Sequence, residues 1–274
     1  MGFINRIESL NEVPQFNVEK VPLFDANHRP IDAYSLQRTD TNQHLGVVGE
    51  RYRPIQMEEM IDVLNRASNI VDSGIQHVGY TMSRQGRKVL IQSKLSDTIN
   101  VDGDEVDPYF YTMIDNTGMG SNKTIPSTLR IACDNALHML TISSDTCSRH
   151  SSIFDTRVET MVGNIAQSIE AAKNFNDTMK KLKSIKYTRD EMVKLTQRLI
   201  PVEKEESTKR VLKRERIVEL FESGRGNVGE TRWDALNAIT EYETHTGKQS
   251  PEKLMRNLLN ATMSRKGLQL LTAA

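Results

Sequence analysis

The sequence predicts an α+β protein: an antiparallel β-hairpin sheet covered by a long helix, followed by a helical C-terminal region. Three observations carry this. Runs of β-forming residues separated by turn signals occupy residues 44–132, strand signals stop after His150, and from Ile153 apolar residues recur at helical spacing. At 274 residues, 37% hydrophobic and 26% charged, the chain can fill one large or two small cores and is no disordered polymer. The expected organisation is an extended N-terminal arm over residues 1–40, an α+β core with β-hairpins over 41–150, and a helical region over 151–274.

Residues 1–40 hold scattered apolar side chains, three prolines and no sustained period, hence the arm. Leu45 to Ile55 reads as a strand and turn, and Gln56 to Val71 as an amphipathic helix with Met57, Met60, Ile61, Leu64 and Ala67 on one face. Gln76–Ser83 and Lys88–Leu95 form a hairpin around the turn signal Arg84-Gln85-Gly86-Arg87. Asp102-Gly103-Asp104 is a second turn, and Tyr109 to Ile114 is dense enough in β-formers to be a buried strand. Asn116 to Asn122 is a loop, Lys123 to Ala132 another strand, and Cys133 to Leu140 the expected start of the covering helix.

The long helix is expected over Ile153 to about Ile185. Val158, Ile165, Ala172 and Met179 recur seven apart, with Met161, Phe175 and Leu182 beside them, a seam suited equally to a core or to another subunit. Shorter helices follow over Thr188–Leu199, Thr208–Glu222 and Thr231–Thr244. A last one opens at Ser250-Pro251 and ends between Ala261 and Gly267.

The 36 basic and 36 acidic side chains cancel overall, yet Lys180 to Arg216 holds 13 basic residues against 6 acidic. Such a stretch suits a polyanion, or is simply a solvated helix face. The longest apolar runs, such as Val89-Leu90-Ile91, fall far short of the roughly 18 to 20 residues of a membrane span. The N-terminus has neither a secretion-signal core nor a myristoylation signal, because Arg6 stands where Ser or Thr is needed. The expectation is a soluble protein of a reducing compartment.

Catalytic patterns are sparse. Cys133, His138, Cys147 and His150 lie close in sequence, but not at the spacing of a standard zinc site. Asp102, Asp104, Glu105 and Asp107 offer four acids to a hard cation, a pattern that more often marks a solvated turn. Gly224-Arg225-Gly226-Asn227-Val228-Gly229 satisfies the spacing of a dinucleotide-binding loop, but it follows a helix where the mechanism needs a strand; it reads as a cap and turn. No enzyme, cofactor, metal or catalytic residue is expected. The strand block instead carries Arg84, Arg87, Lys88, Lys123 and Arg130 around Tyr109 and Tyr111, cations for phosphates with rings for bases.

Leu45-Gly46-Val47-Val48-Gly49-Glu50-Arg51-Tyr52-Arg53-Pro54-Ile55-Gln56 resembles the opening signature of the phage/plasmid-like proteins of unknown function found in prophages, plasmids and phages. Further blocks fit in order. They are Asn116-x-x-x-Gly120-Ser121 with Ile125-Pro126, Arg130 to Leu137 with a departure at Asp134, Arg149-His150, and Thr231 to Tyr242. The resemblance brings no settled activity. The hairpins followed by a long helix are in turn similar to the β-β-β-α unit of phage single-strand annealing proteins of the RecT, Redβ and Erf type.

The resulting expectation is a phage or mobile-element single-stranded DNA-binding protein that promotes annealing, recombination or replication as a homo-oligomer in the bacterial host cytoplasm. Arg84, Arg87, Lys88, Lys123 and Arg130 would contact phosphates, Tyr109 or Tyr111 would stack on bases, and Lys180, Lys181, Lys183 and Lys186 would form a second basic track. Val158, Ile165, Ala172 and Met179 would form the oligomer interface, and a host or phage replication or recombination protein would be a further partner. The rival is a phage regulatory or anti-defence protein that binds a host protein through its helical half.

Overall fold

The computed structural model describes residues 4–70, 74–96, 99–101, 104–130, 135–138, 147–148, 162–163, 175, 177–225, 227–247, 250–259 and 263–273. They belong to two units, one of Met1–Ser96, Phe110–Ile125 and Ile142–Ile169, the other of Asp97–Tyr109, Pro126–Thr141 and Glu170–Ala274. Antiparallel sheet dominates the first unit and helices the second, the α+β class that the sequence predicts.

The first unit contains β1 (Asn5–Arg6), β2 (Val18–Phe24), β3 (Pro30–Arg38), β4 (His44–Val48), α1 (Met57–Ile70), β5 (Ile75–Met82) and β6 (Lys88–Leu95). The expected hairpin is β5–β6, with Ile75 opposite Leu95 and Met82 opposite Val89. Its turn needs two residues with positive φ, Gln85 at 66° and Gly86 at 80°. Val89, Leu90 and Ile91 are all buried, so the sheet is covered on both faces there. α1 buries Met57, Met60, Ile61, Val63, Leu64 and Ala67 in that core, each worth about 1.5–3 kcal/mol for the larger side chains. Glu58 and Glu59 in its first turn favour the helix dipole.

The N-terminal arm is corrected by the structure. β2, β3 and β4 form a three-stranded sheet, and Val18, Leu36, Leu45 and Val48 enter the core. Proline and a partly exposed face obscured the pattern. Val18 turns its backbone away from β3: its N–H donates to Gln56 Oε1 at 2.8 Å and its carbonyl accepts from Gln56 Nε2 at 3.0 Å. Pro22 lies four residues on, on the same outward edge, where its missing N–H breaks no ladder.

β7 (Ile99–Val101), β8 (Asp104–Asp115) and β9 (Asn122–Arg130) follow, then β10 (Asn135–His138) and β11 (Cys147–Ser148). In the first unit the strand order is β1-β5-β6-β8-β9, with β11 on β9. In the second, the start of β8 pairs β7 and the end of β9 pairs β10, Asn135 opposite Arg130 and His138 opposite Ser127. β10 corrects the helix expected from Cys133: four residues carry no decisive period, and the ladder offered by β9 overrides the helix preference of Ala136 and Leu137.

The second unit's helices are α2 (177–184), α3 (Arg189–Leu199), α4 (Thr208–Ser223), α5 (Arg232–His245), α6 (Pro251–Leu259) and α7 (Met263–Thr272). The sequence reading has one last helix, ending between Ala261 and Gly267, where the structure has the two helices α6 and α7. Every residue from Trp233 to Glu241 is buried, so α5 is the central helix. Around it pack Met179, Leu182, Met192, Leu195, Ile217, Phe221 and Leu271. Capping boxes start α3 (Thr188 with Glu191) and α5 (Thr231 with Asp234). The glycine-rich segment is indeed a turn between helices: Asn227 Nδ2 donates to Leu220 O and Asp234 O, and Gly229 takes φ 75°. Among the described residues no helix is long and apolar enough to cross a membrane.

Candidate nucleic-acid interface

In the first unit the loop after β8 meets the β5–β6 turn. At its centre is Asp115, only 3% exposed. Its Oδ1 accepts from Thr117 N at 2.9 Å and from Thr117 Oγ1 at 2.5 Å, and its Oδ2 meets Lys88 Nζ at 3.3 Å. A buried carboxylate without such partners would be costly, and these bonds fix the loop around it. Asp115 N donates to Asn122 Oδ1 at 3.0 Å and closes the loop at its far end. Asn116 joins the loop to the turn, donating from N to Arg87 O at 2.9 Å and from Nδ2 to Gly86 O at 3.0 Å.

The β4 end forms the other wall. A Cβ on Gly46 would lie 2.0 Å from Thr117 O, so only glycine admits this approach. Gly118, at φ +75°, sits against Val48 and Tyr52. Burial first, and then the Asp115 charge, raise the Tyr52 hydroxyl well above its ordinary value and keep it neutral. Residues of two blocks that carry the phage/plasmid-like resemblance, 45–56 and 116–121, are thus packed against each other.

On this frame Arg84 and Arg87 are exposed, and Arg87 Nε donates to Leu45 O at 3.1 Å. Lys88 is held by Asp115, which makes it a positioning group for the loop. Tyr111 is a correction: it is 1% exposed, with its hydroxyl accepting from Gln92 Nε2 at 3.4 Å, and offers no stacking face. The strand is covered on both sides, Phe110 being as buried as Tyr111. Lys123 is half-buried on β9 opposite Cys147. Two exposed groups that the sequence reading missed are Arg51, on the turn after β4, and Met119, between two glycines of the loop.

In the second unit Tyr109 is half-buried, and Arg130 belongs to β9 with its side chain outside the described residues. Lys180, Lys181 and Lys186 are exposed and Lys183 is half-buried. The basic excess is partly neutralised within the unit: Arg189 pairs with Glu222, Arg210 with Glu203, Arg214 with Glu206 and Arg216 with Glu219. Among the described residues Lys180, Lys181, Lys186, Lys209, Lys213 and Arg198 make no ion pair, so the positive potential left over is carried mostly by lysines. Of the expected oligomer seam, Val158, Ile165 and Ala172 lie outside the described residues. Met179 is fully buried in the helical core of its own chain, beside Phe175 and Leu182.

Among the described residues no group of three or more His, Cys, Asp or Glu side chains converges to hold a metal ion. Cys133, His150 and Asp102 lie outside them. A family model described as a domain of unknown function, DUF932, matches residues 44–266. The chain belongs to this family. The match begins at β4 and ends in α7, so the Gly46–Thr117 packing, the Asp115 loop and the lysines of α2 all lie inside the shared region. No curated protein and no solved structure matches the chain.

Proposed function

We propose that this DUF932 member is a phage or mobile-element protein that binds single-stranded DNA and promotes annealing, recombination or replication as a homo-oligomer in a bacterial cytoplasm. The observation that carries the reading is the separation of its cations into two sets. Arg189, Arg210, Arg214 and Arg216 on α3 and α4 are tied to carboxylates, whereas Arg84 and Arg87 on the β5–β6 turn and Lys180, Lys181 and Lys186 on and after α2 are exposed with no ion pair among the described residues. Exposed cations without acidic partners suit a polyphosphate. The phosphate contacts proposed are these five with Lys123 and Arg130; Lys88 serves the loop instead. The phage/plasmid-like resemblance and the likeness to RecT, Redβ and Erf architecture point the same way, by analogy of arrangement.

The test is an anisotropy titration of a labelled single-stranded oligonucleotide across salt concentrations. Binding that weakens log-linearly with salt is expected, and absence of binding at low salt would remove the reading. Light scattering of the same samples should find an assembly larger than a dimer. A monomer with and without DNA would remove the oligomer from the proposal. A host protein captured equally well after nuclease treatment would favour the rival regulatory role, for which exposed Leu212 on α4 is an apolar contact.

A further inference from the structure

Met119 is 86% exposed, more than any other large apolar side chain among the described residues. It does not sit on a loose tip. Its N–H donates to Thr117 Oγ1 at 3.2 Å, and Thr117 is bonded in turn to the buried Asp115. The glycine before it packs against Val48, and a Cβ on the glycine after it would lie 2.2 Å from Asp115 Oδ2. A backbone held at this many points presents an apolar side chain to water from a fixed loop. The loop's bonds to the β5–β6 turn bring Arg84 and Arg87 beside it, and Gly118 against Tyr52 brings the turn bearing Arg51 near it as well. Arg51 and Arg84 are exposed and make no ion pair among the described residues.

We propose that Met119 is a wedge that enters between unstacked bases of a single strand, while Arg84, Arg87 and Arg51 hold the phosphates on either side. This rests on the single-strand reading above and adds where on the chain the bases are met. Methionine suits the task, because its unbranched, polarisable thioether packs on any base without a demand on shape, and apolar wedges flanked by cations are a recurrent way to part a base stack. Base contact would then be sequence-tolerant, as annealing requires. A membrane surface fits less well: one methionine between two glycines gives too little apolar area to anchor a protein, and no aromatic ring accompanies it on the loop.

The experiment uses the full chain and a single-stranded oligonucleotide carrying one 2-aminopurine, read by anisotropy and by 2-aminopurine emission. Wild type should bind with a rise in emission as the base unstacks. Met119→Ala should bind about 5- to 10-fold more weakly, with an unchanged salt slope and no rise in emission, and Met119→Leu should restore both. A Met119→Ala protein that binds and unstacks like wild type overturns the wedge and leaves the single-strand reading standing. Wild type that binds no oligonucleotide overturns both. Co-sedimentation of wild type, but not of Met119→Ala, with phosphatidylglycerol vesicles would assign the loop to a lipid surface and overturn the wedge. Because Met119 touches no core, matching circular dichroism spectra should accompany every variant.

Discussion

Acidification from pH 7 to 5 should destabilise the first unit through one side chain, His77. It lies on β5 between α1 and β6, with Nδ1 at 2.8 Å from Ser93 Oγ and Nε2 at 3.2 Å from Ser68 Oγ. Ser68 spends its own proton on Leu64 O at 2.9 Å, so Nε2 must carry the ring proton and Nδ1 must accept from Ser93. Adding a proton to Nδ1 would force the buried Ser93 hydroxyl to turn away. Burial pushes the His77 pKa down from 6.5 to about 4. A depressed histidine binds its proton more readily in the unfolded chain, so the stability it contributes is full above about pH 6.5 and is lost as the pH falls towards 4. Linkage with these two values gives a loss of about 2 kcal/mol between pH 7 and 5 and about 3 kcal/mol by pH 4. Urea unfolding followed by far-ultraviolet circular dichroism at several pH values measures it, with His77→Gln as the reference because Gln can keep both bonds without titrating. Wild type minus variant should show this pH dependence. Parallel curves would refute the burial argument.

Gly46→Ala drives a methyl group into the Thr117 backbone, which cannot rotate aside as a side chain would. It should lower the free energy of unfolding by about 3 kcal/mol, and it should weaken oligonucleotide binding by displacing the loop. Glu243→Ala removes the carboxylate that accepts from Met263 N at 2.7 Å and Ser264 N at 2.9 Å at the start of α7. A loss of about 1–2 kcal/mol is expected, read by the fluorescence of Trp233 on the neighbouring α5, and an unchanged midpoint would show that α7 needs no cap. Arg84→Gln with Arg87→Gln should reduce the salt slope of single-strand binding by about 1.4, roughly 0.7 for each phosphate contact, whereas an unchanged slope would place the DNA elsewhere.

Much of the fold is decided locally and can be read from the chain. α1 follows from its 3.6-residue apolar period, the β5–β6 turn from its glycine, and α3, α5 and α6 from the polar caps and the proline at their starts. Those signals act within one or two turns of backbone, so the sequence contains both partners of each interaction. β2 depends instead on a carboxamide 38 positions away, β10 on an edge offered by β9, and the burial of Tyr111 on cover over both faces of β8. The interface divides in the same way. Arg84 and Arg87 announce themselves as cations beside a turn, but the fixing of Lys88 by Asp115, the close packing of Gly46 on Thr117 and the outward hold on Met119 arise only when distant segments meet. A residue type states what a side chain can do; which atoms surround it, and so whether a lysine meets solvent or a buried carboxylate, is settled by tertiary packing alone.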